Sequence, residues 1–335
     1  MSLSIESWRA LREPGAVPEL ILGTMNFGKR TPQPEAIRIL DCALERGVTF
    51  WDTANAYVNG EGERILGRAL RGRRERVLLA SKVGLWRIGG ATSGLLQTGG
   101  QAEGLSRARI LAACDESLQR LQTDYLDLYF LHVPDAQTPI EESLGAIAEL
   151  LRMGKIRAWG TSNYASWQML EMIQWCDRQG VQRPLLTQQL YNLSVRQLDL
   201  EYFAFAAKYR LHTAVYNPLA GGLLTGKHQF GEPPAGSRFQ GNTMYQARYW
   251  SERSFAAAAS YQAVAKDLGV DLATLAYAWL GTRAGVDSIL IGPGSVEHLQ
   301  HALRARELRL DSETTQRLDA LYIQHQGTDA RYARI

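Results

Sequence analysis

Four side chains suited to proton transfer stand at or just after the ends of short apolar segments. Asp52 and Tyr57 lie in VTFWDTANAY, Lys82 ends RVLLASK, and His132 ends LDLYFLH. A tyrosine has an unperturbed pKa of about 10, so it is a poor acid at neutral pH unless a nearby cation favours its ionised form. Lys82 would be that cation if Asp52 held it in an ion pair, and His132 would donate a hydrogen bond to a carbonyl oxygen.

Each of these residues also has a structural interpretation when it is taken alone. An Asp–Lys pair can simply stabilise a fold, a single buried histidine is usually a satisfied core residue, and tyrosine is common in the wall of any cavity. A chemical role therefore depends on a fold that brings the four side chains together.

Eight segments of β type, separated by amphipathic helical patterns, would provide such a fold. The segments are ELILGTMN, VTFWDTA, RVLLASK, LDLYFLH, IRAWGTSN, LLTQQLYN, HTAVYNP and DSILIG. In one intervening pattern Ser106 is a good helix N-cap, and an apolar face follows it at Ile110, Cys114, Leu118 and Leu121. Apolar strands alternating with helices predict a (β/α)8 TIM barrel, in which the carboxyl ends of the strands converge on one face.

The composition agrees with one large α/β domain, which we expect to cover residues 1–335. The chain has 45% hydrophobic residues and a formal net charge of only +3. It lacks the basic stripe of a nucleic-acid-binding protein, and no segment approaches the roughly 20 apolar residues of a membrane span. The beginning, MSLSIESWRALREPG, lacks the apolar core of a signal peptide. The scattered cysteines Cys42, Cys114 and Cys176 are typical of reduced thiols in a soluble cytoplasmic protein. We expect no nucleic-acid or membrane partner and no bound metal ion.

Two long loops are expected to cover the barrel mouth. One spans about residues 84–104 and is rich in glycine, and the other spans about residues 219–253 and contains Gly, Pro and aromatic residues. Loops of this length are usually lids or binding loops, although a glycine-rich segment can also be only a flexible connection. The tail after His325 would be a third such segment.

The segment GTMNFGKR (residues 23–30) has the spacing of a phosphate-binding P-loop up to its lysine. Arg30 replaces the Ser or Thr that would hold Mg²⁺, and Pro32 and Pro34 delay the next helix. These departures exclude a P-loop nucleotide triphosphatase. No G-x-G-x-x-G follows a strand, so a dinucleotide would not be bound in the Rossmann manner.

Eight stretches between about residues 19 and 304 resemble the aldo-keto reductase family. They are LGTMNFG, FWDTANAYVNGEGERILGRAL, ASKVG, ESLQRLQTDYLDLYFLH, GKIRAWGTSNY, QQLYN, YNPLAGGLLTGK and ILIGPGSVEHL. The resemblance implies a (β/α)8 barrel that uses NADPH to reduce an aldehyde or ketone. It also implies Tyr57 as the general acid, with Asp52, Lys82 and His132 as its partners. Locally, YNPLAGGLLTGK and the arginine and aromatic residues after it look most like the aflatoxin aldehyde reductase branch.

The same resemblance implies a cofactor site. Ser162, Asn163 and Gln188 stand where the family binds the nicotinamide carboxamide, and Tyr216 stands where a ring stacks on the nicotinamide. Helix capping by Ser162 and Asn163 and core packing by Tyr216 are structural alternatives. The other residues implied for the cofactor are Gly23, Thr24, Met25, Asp52, Asn217, Pro218, Leu219, Gly221, Lys227, Arg238, Gly292, Gly294, Ser295 and His298.

The residues expected to contact the substrate are Tyr57, Trp86, His132, Arg248 and Trp250. Arg248 lies in the second long loop, and Arg331 and Arg334 lie in the tail. A guanidinium group over an aromatic-lined mouth would bind a carboxylate, whereas the alternative is that these arginines are solvated surface charges.

The segment that would hold the adenosine end departs from the family pattern. The family commonly has Arg or Gln at the position of His298, Glu or Gln at that of His301, and Asn at that of Ala302. Ala302 cannot hydrogen-bond to adenine, whereas Ser295 and the backbone N–H groups near Gly294 can still receive a phosphate. NADPH is the expected cofactor, with a preference over NADH that is weaker than usual. Any help from a protonated His298 should fade as pH rises past the unperturbed histidine pKa near 6.5.

Two other functions fit the same fold. The β subunits of potassium channels resemble these reductases and act chiefly as partners of a membrane channel, and a reductase of a nucleotide-linked keto sugar would also resemble this family. Oxidation of NADPH by several aldehydes would favour a reductase of small carbonyl compounds over a channel partner. The sequence leaves the physiological substrate and the oligomeric state open.

Overall fold

Eight parallel strands close into a barrel in the structure, a computed structural model that describes residues 19–88, 91–93, 96–98 and 101–327. The strands are β1 (Glu19–Gly23), β2 (Phe50–Asp52), β3 (Leu78–Val83), β4 (Leu126–Leu131), β5 (Ile156–Ser162), β6 (Leu186–Leu190), β7 (His212–Tyr216) and β8 (Ser288–Ile291). Each strand pairs with its neighbours in chain order, and β1 pairs with β8. The predicted eight strands and (β/α)8 barrel are confirmed.

The barrel strands are apolar on both faces because both faces are covered. All six residues of β4 are buried. Side chains from several strands, including Ile21, Phe50, Phe130 and Leu186, form one cluster inside the barrel. A larger apolar core lies between the strands and the surrounding helices. Near-continuous apolar runs are what a closed parallel sheet within a ring of helices requires.

Helices alternate with the strands and cover the outside of the barrel. They are α1 (Gln33–Glu45), α2 (Glu61–Leu70), α3 (Arg107–Leu121), α4 (Ile140–Arg152), α5 (Ser166–Gln179), α6 (Tyr202–Tyr209), α7 (Thr243–Tyr249), α8 (Glu252–Asp267), α9 (Leu272–Leu280), α10 (Val296–Ala305) and α11 (Ser312–Gln326). In α3, Ser106 Oγ accepts a hydrogen bond from Arg109 N at 3.3 Å, and the predicted apolar face is buried. The cap stops backbone donors at the start of this helix from being left without a partner.

The register of the barrel brings the polar ends of neighbouring strands to one face. Asp52 on β2 is level with Ala80 on β3, and Lys82 on β3 is level with Phe130 on β4. The backbone N–H of His132, just after β4, donates to the Val83 carbonyl oxygen at 2.8 Å. The residues that end these three strands therefore lie next to one another, as the barrel topology predicts.

Both long loops contain secondary structure of their own. In the glycine-rich loop, Arg87–Ile88 pairs with Gln101–Ala102 and Ala91–Ser93 pairs with Leu96–Thr98, both in antiparallel fashion. The interpretation of this segment as only a flexible connection is wrong for these paired residues. The second long loop contains a 3-10 segment, Ala220–Thr225, and helix α7.

Some sequence expectations concern features away from the barrel mouth. Within the described ranges, no helix is long and apolar enough to cross a membrane. Cys42, Cys114 and Cys176 are free thiols, as predicted. Arg331 and Arg334, for which carboxylate binding and a solvated surface position were both left open, lie outside the described residues.

Candidate active site

A cavity of about 400 Å³ lies at the carboxyl ends of the barrel strands. Its wall includes three of the four predicted catalytic side chains, those of Asp52, Tyr57 and His132. Lys82 lies behind them with 1% of its side chain exposed. Strand ends supply Asp52, Lys82 and His132, and Tyr57 begins a short 3-10 helix after β2. The structure thus brings the four predicted side chains together.

A buried ion pair joins β2 to β3 at the centre of this group. Lys82 Nζ donates to Asp52 Oδ1 and, at 2.7 Å, to the carbonyl oxygen of Thr53. Lys82 Nζ also lies 3.4 Å from Tyr57 Oη. The other carboxylate oxygen, Asp52 Oδ2, accepts a hydrogen bond from Gln188 Nε2 at 2.6 Å. Both members of the pair are almost completely shielded from water, so their charges depend on these protein partners.

The pKa of Tyr57 is raised, not lowered. Burial raises it well above its ordinary value, and the nearby Asp52 carboxylate raises it further. The net lowering of the Tyr57 pKa that the sequence predicted is therefore wrong. Burial and the Asp52 carboxylate both act in the opposite direction, so the resting phenol is a weaker acid than a free tyrosine. Tyr57 keeps its proton at neutral pH and can give it only to a base stronger than phenolate.

His132 is a neutral imidazole in this site. Burial lowers its pKa well below the ordinary value, and the Lys82 charge lowers it further. Its ring stands edge-on to that of Tyr57, with the ring centroids 5.8 Å apart. Asn163 Nδ2 donates to its carbonyl oxygen at 3.0 Å and helps to fix its backbone. A neutral imidazole carries one N–H donor, so His132 can hydrogen-bond to a carbonyl oxygen without adding a positive charge.

Polar side chains at the ends of β5, β6 and β7 form a second hydrogen-bonded group on the cavity wall. Asn163 adopts a left-handed backbone with φ 66°, which asparagine tolerates better than most residues. Its Nδ2 donates to Ser162 Oγ at 3.0 Å, and its Oδ1 accepts from Tyr216 Oη at 2.6 Å. Gln188 is linked to the catalytic group through Asp52. The group offers donors and acceptors together, which is what recognition of an amide requires.

The backbone after β7 forms a turn that could cradle phosphate groups. It passes through positive φ at Asn217 (58°), Ala220 (49°), Gly221 (70°) and Gly222 (114°). A Cβ on Gly221 would stand 2.7 Å from the ring of Tyr245, so only glycine fits there. Asn217 Nδ2 is buried and has no hydrogen-bond partner within the described part of the chain. Turns of this kind form concave sites for anions, so these residues fit a phosphate-bearing cofactor.

Two guanidinium groups add positive charge to the cavity wall. Arg238 donates to Asn26 Oδ1 at 2.8 Å and to Tyr245 Oη at 3.1 Å. Arg30 donates to the carbonyl oxygen of Gly236 at 3.1 Å. Burial lowers the pKa of Arg30, and the like charge on Arg238 lowers it further. Arg30, the residue that excluded a P-loop, thus belongs to the cavity.

The predicted adenosine end lies near the start of α10. Ser295 Oγ accepts from His298 N at 3.3 Å, and His298 Nδ1 accepts from Gly294 N at 3.3 Å. Burial lowers the pKa of His298, and Lys227 lowers it further. The pH range in which His298 is charged therefore lies below the one expected from an unperturbed histidine. His301 bonds to Asp271 at 2.9 Å, away from the cavity wall.

Most residues predicted to bind the cofactor line the cavity. They are Gly23, Met25, Asp52, Ser162, Asn163, Gln188, Tyr216, Asn217, Pro218, Leu219, Gly221, Arg238, Gly292, Gly294 and His298. Thr24, Lys227 and Ser295 do not line it. Thr24 Oγ1 instead donates to the Asp52 carbonyl oxygen at 3.0 Å, beneath the site.

Of the predicted substrate contacts beyond the catalytic group, Arg248 lines the cavity and Trp86 and Trp250 do not. The ring of Trp86 lies 5.7 Å from the Arg120 guanidinium carbon, and its neighbour Leu85 lines the cavity instead. The ring of Trp250 packs against Phe239 with centroids 4.5 Å apart. The predicted roles of the two tryptophans are therefore not supported, because their rings have other partners.

Several residues of the cavity wall were not predicted from the sequence. They are Asn26, Arg30, Leu85, Val133, Gly222, Met244, Tyr245, Tyr277 and Leu290. Position gave a signal for four of the nine, since Asn26, Leu85, Val133 and Gly222 each stand next to a predicted site residue. Among the described residues, no cluster of three or more His, Cys, Asp or Glu side chains is placed to hold a metal ion.

A parallel (β/α)8 barrel with a cavity lined by polar and apolar side chains at the carboxyl ends of its strands has the architecture of a barrel enzyme. A sequence model described as the Aldo/keto reductase family matches residues 19–323. The chain belongs to this family, whose members are oxidoreductases that act on carbonyl compounds.

Individual relatives cover most of the chain. Human aflatoxin B1 aldehyde reductase member 2 is 35% identical over 306 residues, which cover 86% of this chain and 81% of the relative. A probable voltage-gated potassium channel subunit beta of Arabidopsis thaliana is 32% identical, with 84% of each chain covered. The uncharacterized oxidoreductase YrpG of Bacillus subtilis is 33% identical, with 91% and 92% covered. The resemblance to aldo-keto reductases, including aflatoxin aldehyde reductases, is confirmed.

Replacement of Asp52 by Asn should destabilise the fold in a pH-dependent way. Burial lowers the pKa of Lys82 and Asp52 partly restores it, so without the carboxylate the pKa of Lys82 should fall further. Breaking a buried pair in this way costs about 3–5 kcal/mol of unfolding free energy. The unfolded chain protonates its lysine up to the ordinary pKa of about 10.4 and so binds more protons than the folded variant. The stability of Asp52→Asn relative to wild type should therefore increase as pH rises from neutral toward that value.

Urea unfolding at several pH values would measure both effects. Asp177→Asn is the matched control, because Asp177 pairs with Arg183 in an exposed bidentate contact and should matter little. Equal stability losses in the two variants, or no pH dependence in Asp52→Asn, would contradict a buried charged pair.

Proposed function

We propose that the chain reduces an aldehyde or ketone to an alcohol, with NADPH as the hydride donor and Tyr57 as the general acid. The observation that carries this proposal is the position of Tyr57, a protonated phenol on the cavity wall, 3.4 Å from the buried ammonium of Lys82 and beside a neutral His132. Family membership supports the reaction class.

The side chains can divide the work of proton transfer. NADPH would supply the hydride that the carbonyl carbon accepts. As negative charge develops on the carbonyl oxygen, Tyr57 Oη donates its proton, because an alkoxide is a stronger base than a phenolate. Lys82 then stabilises the phenolate, and Asp52 keeps Lys82 charged. His132 orients the carbonyl oxygen through its neutral N–H.

Other residues of the wall would hold and orient the cofactor. Ser162, Asn163 and Gln188 provide the donors and acceptors that a carboxamide needs. The turn after β7 and the guanidinium group of Arg238 suit phosphate groups. Because Gln188 also bonds to Asp52, the cofactor group and the catalytic group share a hydrogen bond.

The proposal extends to the setting of the reaction. We propose one barrel domain over residues 1–335, a small-molecule carbonyl substrate and a cytoplasmic location. Free thiols at Cys42, Cys114 and Cys176 are compatible with a reducing compartment.

A channel-associated role is the second candidate, because a plant relative is named as a probable potassium channel subunit beta. Such a protein would bind the cofactor and turn over poorly. Steady oxidation of NADPH by several aldehydes would favour the reductase. Reduction of a nucleotide-linked keto sugar has no observation of its own in its favour.

Tyr57→Phe should lower kcat by about 100- to 10,000-fold, because it removes the proton donor while the ring stays in place. NADPH binding, followed by fluorescence titration, should be retained. Tyr129→Phe is the matched control, since Tyr129 is also buried but its hydroxyl has no hydrogen-bond partner in the described structure. Near-normal turnover by Tyr57→Phe would remove Tyr57 from the role of general acid.

Arg248→Ala should raise KM for an aldehyde that carries a carboxylate by roughly 10- to 100-fold. This change corresponds to the free energy of one hydrogen bond to a charged group. Arg248 lines the cavity and can bind such a group, whereas an uncharged analogue should be affected little. Arg253→Ala is the control, because Arg253 is exposed and bonds to the carbonyl oxygen of His325. Equal changes in KM for the charged and uncharged aldehydes would mean that Arg248 is a solvated charge and does not bind the carboxylate.

The preference for NADPH over NADH should weaken with rising pH in a range below 6.5, the ordinary pKa of histidine. A protonated His298 would attract the additional phosphate, and its lowered pKa moves this effect below the range expected from sequence. Titrations of both coenzymes against wild type and His298→Ala would measure it. The same pH slope in both proteins would exclude His298, and tighter binding of NADH would overturn the NADPH proposal.

A further inference from the structure

A fully buried carboxylate outside the catalytic group, that of Glu103, joins three segments of the chain. Its Oε1 accepts from the backbone N–H groups of Gly84 at 2.7 Å and Trp86 at 3.1 Å. Asn55 Nδ2 donates to both carboxylate oxygens, at 3.1 and 3.2 Å. Arg109 Nε donates to Oε2 at 2.9 Å. A buried charge is tolerated only when it is this fully bonded, so Glu103 depends on all three segments, and they depend on it.

These bonds close the base of the glycine-rich loop. The N–H of Glu103 donates to the Trp86 carbonyl oxygen at 2.9 Å, and the next residues on each side pair as strands. Gly84 has φ 112°, and a Cβ there would stand 2.9 Å from the side chain of Leu105. The path of residues 84–86 is therefore fixed by the Glu103 carboxylate on one side and close packing on the other.

Leu85 lies between the two amides that Glu103 holds, and this residue lines the cavity. It follows β3 three residues after Lys82, and Val133 lines the cavity one residue after His132. The N–H of His132 bonds to Val83 O, which ties these two strand ends together. Leu85 and Val133 thus provide apolar wall next to the proposed catalytic residues.

We propose that Glu103 is a positioning residue that fixes Leu85 in the cavity wall and so favours carbonyl substrates with an apolar chain; this rests on the proposed carbonyl reduction. Glu103 does not touch the substrate. It acts through the backbone N–H groups of Gly84 and Trp86, which would lose their acceptor without it.

The test compares kcat/KM for hexanal and propanal with NADPH. In Glu103→Ala, the hexanal-to-propanal ratio should fall by about 10-fold, the scale of discrimination by an apolar contact. Leu85→Ala should lower the ratio similarly, and Glu103→Ala should add no further change in the Leu85→Ala background. Glu103→Gln keeps an oxygen for the two amides and should retain most of the ratio.

Glu116→Gln is the matched control. Glu116 binds Arg109 in a bidentate contact at 2.8 and 2.9 Å but, unlike Glu103, has no bond to Gly84 or Trp86. Its replacement should leave the ratio unchanged. An equal fall in kcat/KM for both aldehydes in Glu103→Ala, with the ratio unchanged, would mean that Glu103 only supports the fold and would overturn the proposal.

Amide hydrogen exchange at Gly84 and Trp86 tests the anchor independently of turnover. Both amides should be protected in wild type and should exchange at least about 10-fold faster in Glu103→Ala, because their acceptor is gone. Unchanged protection would overturn the proposal. If wild type reduced neither aldehyde, the proposed function would fail while the exchange result still stood. If Glu103→Ala did not fold, Glu103→Asp would replace it, because it keeps the charge but withdraws the oxygens by one methylene. Glu103→Asp must then lower the hexanal-to-propanal ratio, by less than Leu85→Ala does, and an unchanged ratio would overturn the proposal.

Discussion

The buried pair of Asp52 and Lys82 is the interaction on which the rest of the site depends. Two charges with almost no access to water are stable only if every lone pair and proton has a partner. The partners here are Tyr57, the Thr53 carbonyl and Gln188. Burial, followed by the Asp52 carboxylate, sets the upward direction of the Tyr57 pKa, although the Lys82 ammonium lies nearby.

Gln188 extends this dependence across the barrel. It stands on β6, while Asp52 stands on β2, and the bond between them joins strands from opposite sides of the closed sheet. A second set of bonds, centred on Asn163, links Tyr216 to the backbone of His132. A buried polar network of this kind restrains each member through the others, so the cavity wall behaves as one unit.

The fold could be predicted from the sequence, and so could the proximity of the four catalytic candidates. In a parallel barrel the carboxyl ends of neighbouring strands lie together irrespective of the individual side chains. It was insufficient where a result depends on burial or on a shift of one residue. Leu85 lines the cavity and Trp86 does not, a difference of one position after a strand. Glu103 escaped notice because its partners include backbone amides in a glycine-rich segment without a clear pattern. Arg30 attracted attention in the sequence only because it breaks the P-loop pattern. That pattern gave no reason to place Arg30 in the cavity wall.

The contacts of Arg30 and Arg238 run in opposite directions between the same two loops. Arg30, after β1, bonds to Gly236 in the second long loop, and Arg238 of that loop bonds back to Asn26 after β1. Separating the loops therefore requires both contacts to break together. A ligand held against both loops would leave slowly even if its equilibrium affinity were modest, so its residence time, and with it the rate of exchange between turnovers, would be set by loop separation.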